Sequence, residues 1–375
     1  MKKVVHLTSV HPRYDQRILW RECCSLREHG YDVTLVVNDA QDNETLENGV
    51  KIMSTGFVPQ GRWERMTEGV KRVYELGIAQ SANIYHLHDP ELLRIALRVK
   101  QQGKTVIFDS HEIYGIQIRT KAYIPSLLRN AIANIYTAYE TYVCKRINGV
   151  IVPAKYDGKN PFVGRAPRCV YVNNYPRVSE YEGVAIPPYD IRKNVCYSGG
   201  LTAARGITNL VDAGQQAGVT VVLAGEFSSE EYKQEILEND STQVRYLGFM
   251  KKRKDIFEMY ARCAVGAALL RNVGQYSAVG NLPTKVYEYM AMEMPVLLSN
   301  FPYNRNLVEK YNFGLVANPD DTDDIAAKIR WLLDHPKEAE EMGKNGRRLL
   351  KEKFTWERAA ESELLRLYRE VEADM

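Results

Sequence analysis

Short apolar runs at 4–7, 33–37, 84–87, 105–108 and 150–152 recur between longer stretches whose apolar residues return every three or four positions. Runs of this length read as buried strands, and the spacing predicts helices over 17–29, 66–79 and 91–100. Two of these helices stop beside Gly30 and Gly103, as helix ends prefer. The alternation lapses at 174–192, where Pro176, Pro187 and Pro188 interrupt a stretch of little periodicity, which reads as a linker. A second series then begins, with strand-like runs at 195–198, 219–224, 244–247, 264–269, 295–298 and 314–316. Strands alternating with helices predict parallel βαβ units. The expected plan is two Rossmann-like α/β domains: 1–175, a linker at 176–192, and 193–355. Residues 356–375, with Leu364, Leu365, Leu367 and Tyr368, form an amphipathic helical pattern.

Composition narrows the class of protein. The chain has 375 residues, 45% hydrophobic and 26% charged, which suits folded domains and excludes disorder, collagen and low-complexity polymers. Its net charge of +3 is too small for a nucleic-acid scaffold held by phosphate neutralisation. The charge is uneven: residues 1–185 carry 25 basic and 19 acidic side chains, the remainder 25 and 28. The amino-terminal half is therefore the better match to an anionic surface. Six cysteines, at 23, 24, 144, 169, 196 and 263, make no CxxC pair, so the expected setting is a reducing cytoplasm without a zinc framework. Lys2 and Lys3 precede only a short apolar run, which reads as a strand rather than a signal peptide.

Ligands of open parallel sheets bind beyond the carboxyl ends of the strands, and the motifs lie there. The dinucleotide fingerprint, the Walker loop, the Gly-x-Ser-x-Gly elbow and the His-Glu-x-x-His helix are all absent. The most informative stretch is Gly280-Asn281-Leu282-Pro283-Thr284-Lys285-Val286-Tyr287-Glu288-Tyr289-Met290-Ala291. A polar loop opening a helix presents free N–H groups and the positive dipole end, which suits a diphosphate, and Lys285 adds a full charge. Glu288, three residues on, shares that face and suits a ribose diol, although a solvated Lys285/Glu288 pair explains the spacing equally well. Earlier, Gly199 and Gly200 follow a strand and let backbone approach a ligand, and Arg205 precedes Gly206 at a helix start. Positive charge is mildly unfavourable there unless an anion binds.

The amino-terminal half offers His88 in His86-Leu87-His88-Asp89-Pro90 and His111 in Asp109-Ser110-His111-Glu112, each just after a strand. A satisfied structural histidine remains an alternative for both, and His86 is expected to point to the core. The loop 9–17 holds His11, Arg13, Asp15 and Arg17; His11 and Asp15 are the candidates for ligand contact, with helix capping by Asp15 the alternative. Asp321-Thr322-Asp323 matches a metal-binding Asp-x-Asp, but its place before a helical pattern favours capping. Residues 123–143 set Ile124, Leu128, Ala131, Ile132, Ile135, Tyr139 and Tyr142 on one stripe flanked by Arg119, Lys121, Arg129, Lys145 and Arg146. Either core packing or an interfacial helix accounts for it.

Taken together, the Lys-x-x-Glu-Tyr-Met-Ala helix before Pro295-Val296, the Gly199–Ile207 segment, His88-Asp89-Pro90 and Asp109-Ser110-His111-Glu112 resemble retaining GT-B glycosyltransferases of family 4 (glycosyltransferase group 1), surface-polysaccharide type. The resemblance covers nearly the whole chain. It implies a nucleotide-diphosphate sugar donor, most commonly a UDP-sugar, and a glycan or lipid-linked acceptor. It assigns catalysis to His88, Arg205 and Lys285, and donor binding to Gly199, Gly200, Arg205, Asn281, Leu282, Thr284, Lys285 and Glu288. The acceptor or cleft group is His11, Asp15, His111 and Glu112. The family's second acid, eight positions before Glu288, is replaced by Gly280, so backbone N–H groups of Asn281, Leu282 and Thr284 are expected in its stead. The resemblance further implies a C-terminal helix crossing back to the first domain, transfer without metal or other cofactor, no nucleic-acid partner, and a cytoplasmic enzyme that docks peripherally on an anionic membrane. A sugar-nucleotide epimerase of the same fold and a non-catalytic nucleotide-sugar-binding protein are the alternatives.

Overall fold

The β-branched and aliphatic runs fold as strands of two separate sheets in the computed structural model, which describes residues 1–121, 124–238, 243–250, 252–273 and 276–375. The first unit comprises Met1–Asn174 with Ala359–Met375, the second Tyr175–Arg358. The first is built on β1 (Lys3–Leu7), β2 (Asp32–Val37), β3 (Glu44–Thr45), β4 (Lys51–Ser54), β5 (Ile84–Leu87), β6 (Thr105–Asp109) and β7 (Gly149–Val152). β8 (Lys155–Tyr156) stands outside its sheet, and β9 (Cys169–Tyr171) ends it, in the order β3-β4-β2-β1-β5-β6-β7-β9. Every pairing is parallel except β3 with β4. Val5, Leu7, Tyr85, Leu87, Val106, Phe108 and Val150 pack one face against helices. This is why the central strands read as continuous apolar runs. The helix Glu361–Glu372 belongs to this unit and buries Leu364, Leu367, Tyr368 and Val371.

The second unit contains β10 (Lys193–Ser198), β11 (Val221–Ala224), β12 (Val244–Tyr246), β13 (Cys263–Ala268), the short β14 (Val279–Gly280), β15 (Val296–Ser299) and β16 (Gly314–Ala317). Its parallel sheet runs β12-β11-β10-β13-β15-β16. Counted from its own first strand this is 3-2-1-4-5-6, the doubly wound order that opens a crevice beyond the strands where the direction of winding reverses. The reversal lies between β10 and β13, and in the first unit between β1 and β5. Both sets of sequence motifs sit just past these strand ends. Residues 176–192, expected as a linker, pack into the second unit: Tyr181 and Tyr189 are buried, and Tyr189 donates to the Ala264 carbonyl at 3.1 Å. Among the described residues no helix is long and apolar enough to cross a membrane.

Candidate functional site

In the second unit the chain leaves β10 through Gly199, whose φ of +119° few side chains tolerate. A Cβ on Gly199 would lie 3.1 Å from Lys285 Nζ and 3.5 Å from Arg205 Nη1, and one on Gly200 would lie 3.2 Å from that same Nη1. The two glycines and the two cations therefore share one small space. Arg205 closes a short 3-10 turn, Ala203–Arg205, capped by the Thr202 hydroxyl, which accepts from the Arg205 N–H at 3.2 Å. Gly206 turns the chain at φ +73° into the helix Ile207–Ala217, and a Cβ there would stand 2.0 Å from the Leu269 carbonyl oxygen. No larger residue fits without moving that backbone.

Lys285 comes from the first turn of the helix Thr284–Ala291, its ammonium 3.5 Å from the centre of the Tyr197 ring. Burial first, then the nearby Arg205 guanidinium, push Lys285 well below the ordinary lysine range. Among the described residues no carboxylate makes an ion pair with either cation. Two close positive charges beside glycine backbone and a helix start, where the first N–H groups lack intrahelical acceptors, suit an anion carrying two negative charges.

Two expectations at this site are corrected. Glu288 is 4% exposed and is turned inward, accepting from Arg253 Nη2 at 2.5 Å and from Tyr260 Oη at 3.0 Å. It is therefore not half of a solvated pair with Lys285, although its charge still favours the Lys285 ammonium. Arg253, which also donates to Glu180, was not legible as its partner. The Leu282 N–H, expected to face a donor, instead donates to Tyr287 Oη at 3.3 Å, and that hydroxyl donates to Asn281 Oδ1. Thr284 remains at the helix start after Pro283. Asp321 caps the helix Thr322–Asp334 by accepting from the Asp324 N–H at 3.1 Å.

In the first unit, the loop after β1 meets the end of β5 through Asp89, which accepts from the Thr8 hydroxyl at 2.8 Å and the Ser9 N–H at 2.6 Å. His11 lies between Asp15, 3.3 Å from Nδ1, and Asp89, 3.5 Å from Nε2, and packs on His111 with ring centroids 4.5 Å apart. Burial opposes a charged His11 ring, but the Asp15 and Asp89 carboxylates outweigh it and hold its pKa above the ordinary value. Asp15 also caps the following helix, accepting from the Arg17 and Ile18 N–H groups. Both readings of Asp15 thus describe the same side chain. Arg13 and Arg17 are spent on internal partners, Asp39 and Asp109 respectively. Glu112 is exposed.

His88 does not present itself as the sequence suggests. It is 1% exposed, with Nε2 2.8 Å from His6 Nδ1, and Nδ1 3.2 Å from His111 Nε2. Burial pushes the ring down to about 4, with Asp109 partly offsetting it. His86 and His88 stack with centroids 4.5 Å apart, because the ladder continues past β5 through the His88 N–H to the Leu7 carbonyl. They share a face instead of dividing between core and crevice. His111 keeps solvent access, its side chain 20% exposed and Nε2 3.1 Å from Asp109, as does His11 at 26%. His88 lies directly behind His111.

Residues 185–349 match the family model described as glycosyl transferases group 1. Sucrose-phosphate synthase from Thermosynechococcus elongatus is similar in structure with a TM-score of 0.77 and 17% identity, covering 100% of both chains. HepE from Anabaena, in complex with UDP and glucose, is similar with a TM-score of 0.69 and 14% identity, again over 100% of both chains. The alpha,alpha-trehalose 6-phosphate synthase of Burkholderia multivorans reaches a TM-score of 0.65 at 14% identity, over 100% of this chain and 97% of that one. No curated protein matches the sequence. The chain has the GT-B fold, and its residues 185–349 match the glycosyl transferases group 1 model.

Proposed function

We propose that the protein is a retaining glycosyltransferase that moves a sugar from a UDP-sugar onto a glycan or lipid-linked acceptor in bacterial surface polysaccharide synthesis. The observation that carries this reading is the convergence of Arg205 and Lys285 on Gly199 and Gly200 with, among the described residues, no carboxylate in an ion pair with either cation. A donor diphosphate supplies the missing charge, and as the glycosidic bond breaks the same cations stabilise the leaving UDP. UDP in complexes of the structurally similar HepE supports the choice of base. The leaving phosphate oxygen takes the proton of the incoming hydroxyl on the face that UDP departs from, so the anomeric configuration is kept and no carboxylate nucleophile is needed. The charge work falls to Arg205 and Lys285, which makes the transfer independent of added metal.

In the first unit His11, His111 and Glu112 are assigned to sugar or acceptor contact, with His88 and Asp109 as positioning residues behind His111. Membrane docking is assigned to the helix Ser126–Cys144, where Leu127 is 93% and Ile135 70% exposed, and Leu128, Ile132, Tyr139 and Tyr142 are also exposed. This stripe is not core. With Arg129, Lys145 and Arg146 on the same helix and just after it, it has the make-up of an interfacial anchor.

The test is transfer from UDP-, GDP-, ADP- and dTDP-sugars to polyprenyl-linked acceptors in vesicles with and without anionic lipid. Turnover of one UDP-sugar is expected, with the donor's anomeric configuration in the product, an undiminished rate in EDTA, and a higher rate on anionic vesicles. An inverted product or a strict need for added divalent ion contradicts the proposed chemistry.

A further inference from the structure

We infer that His6, Glu22, His86 and His88 form a buried structural site for one divalent cation of the zinc class. The site belongs to the first unit and is independent of the donor reading. β1 and β5 are neighbours in a register that sets His6 opposite His86, and His88 follows on the same face. Glu22 enters from the helical segment Gln16–Cys23, which is wound as a π-helix. That wider turn brings residues five apart onto one face, here Arg17 and Glu22, and such segments often mark functional sites. All four side chains are buried, and one ligand atom of each lies within 4.8 Å of the others. Glu22 Oε2 is 3.8 Å from His86 Nε2 and 3.9 Å from His88 Nε2.

Hydrogen bonding pairs His6 Nδ1 with His88 Nε2 at 2.8 Å but leaves the Glu22 and His86 atoms unsatisfied. Neither Glu22 oxygen nor His86 Nε2 has a hydrogen-bond partner, although all are buried. Arg17 Nε stands 3.1 Å from Glu22 Oε1, but it donates to Asp109 Oδ2 at 2.6 Å. Its terminal nitrogens go to Asp109 Oδ1, the Val172 carbonyl and Asn174 Oδ1. Buried polar atoms left open in this way call for a partner.

The histidines are also oriented as ligands are. His86 turns Nδ1 to Tyr368 Oη at 2.9 Å and keeps Nε2 toward Glu22. His88 turns Nδ1 outward, 3.5 Å from Asp109 Oδ2, and keeps Nε2 toward His6 and Glu22. His6 has Nδ1 on the inner side and Nε2 3.5 Å from Tyr368 Oη. Each ring thus offers one nitrogen inward while the other meets a hydroxyl or carboxylate, the outer arrangement that fixes metal-bound imidazoles. Three imidazoles and one carboxylate suit zinc and its borderline neighbours, whereas calcium and magnesium prefer all-oxygen sets. With four buried protein ligands the ion has no open position for substrate. It ties β1, β5 and the Gln16–Cys23 segment together, and brief EDTA treatment of the folded protein leaves it in place.

The test is elemental analysis of untagged protein purified without chelator, followed by refolding from guanidinium and chelator with and without zinc or cobalt. Roughly one ion per chain is expected, with a cobalt spectrum of four-coordinate intensity and a higher Tm for the metal-refolded protein. Glu22→Gln should lower the metal content by about tenfold or more. The control His335→Ala, in the other unit, should leave it unchanged. If Glu22→Gln does not fold, the Tm of the wild type refolded with and without zinc decides. Metal-free native protein whose Tm ignores zinc overturns the inference.

Discussion

Replacing Arg205 by alanine is expected to weaken UDP-glucose binding by about 1.5–3 kcal/mol, the range of a hydrogen bond to a charged group, or roughly 10- to 150-fold in Kd. The Arg205 backbone is held at the turn by Thr202 and Gly206 while its guanidinium projects beside Gly199 and Gly200, so the substitution removes a charge without disturbing a core. One effect works against the loss. Arg205 helps depress the pKa of Lys285, and its removal lets Lys285 hold its proton more firmly. Arg205→Lys should fall between, because the charge stays but the two-pronged geometry is lost. Calorimetry reads all three proteins, and an Arg205→Ala affinity equal to wild type removes Arg205 from the site.

The largest stability effect is expected at Asp109, the carboxylate that Arg17 grips with Nε at 2.6 Å and Nη2 at 2.9 Å. Both side chains are buried, and breaking such a pair by deleting one member strands the other charge, at about 3–5 kcal/mol. For a domain of this size that lowers Tm by roughly 6–20 °C. Asp109→Ala should show it in a thermal melt of the first unit's transition. Replacing both members, Arg17→Met with Asp109→Leu, should cost less than the two single substitutions summed, since each single variant strands its partner, even though Glu22 then loses Arg17 Nε at 3.1 Å. A double variant that costs the full sum contradicts this account of the pair.

The strands that bury both faces were legible, because a run such as Val33-Thr34-Leu35-Val36-Val37 needs no partner to declare itself, and 84–87 coincides with β5. The edge strands β3 and β9 and the neighbouring β4 were not, being two to four residues long with few buried positions. At the sites, residue identity located Arg205 and Lys285, whose chemistry does not depend on a distant partner. The burial of Glu288 had no local signal, because its partners, Arg253 and Tyr260, lie 35 and 28 residues away. The shared face of His86 and His88 was hidden, because the ladder runs one residue beyond the apolar run that ends at Leu87. Glu22 carried no signal at all. It reads as an ordinary helix acid until β1 and β5 bring His6 and His86 beside it.

The most direct test of the central claim, a diphosphate held by the Arg205–Lys285 pair, is calorimetric titration of UDP-glucose at a series of rising pH values. Binding an anion favours the charged ammonium, so it raises the depressed pKa of Lys285 and takes up a proton in the window between the free and bound values. Affinity should therefore be constant below the free-site pKa and fall as pH rises through it, by at most about tenfold per pH unit for one proton. Lys285→Arg, which stays charged, should bind with a flatter profile. Absence of binding at every pH, or an identical pH profile in Lys285→Arg, would contradict the account.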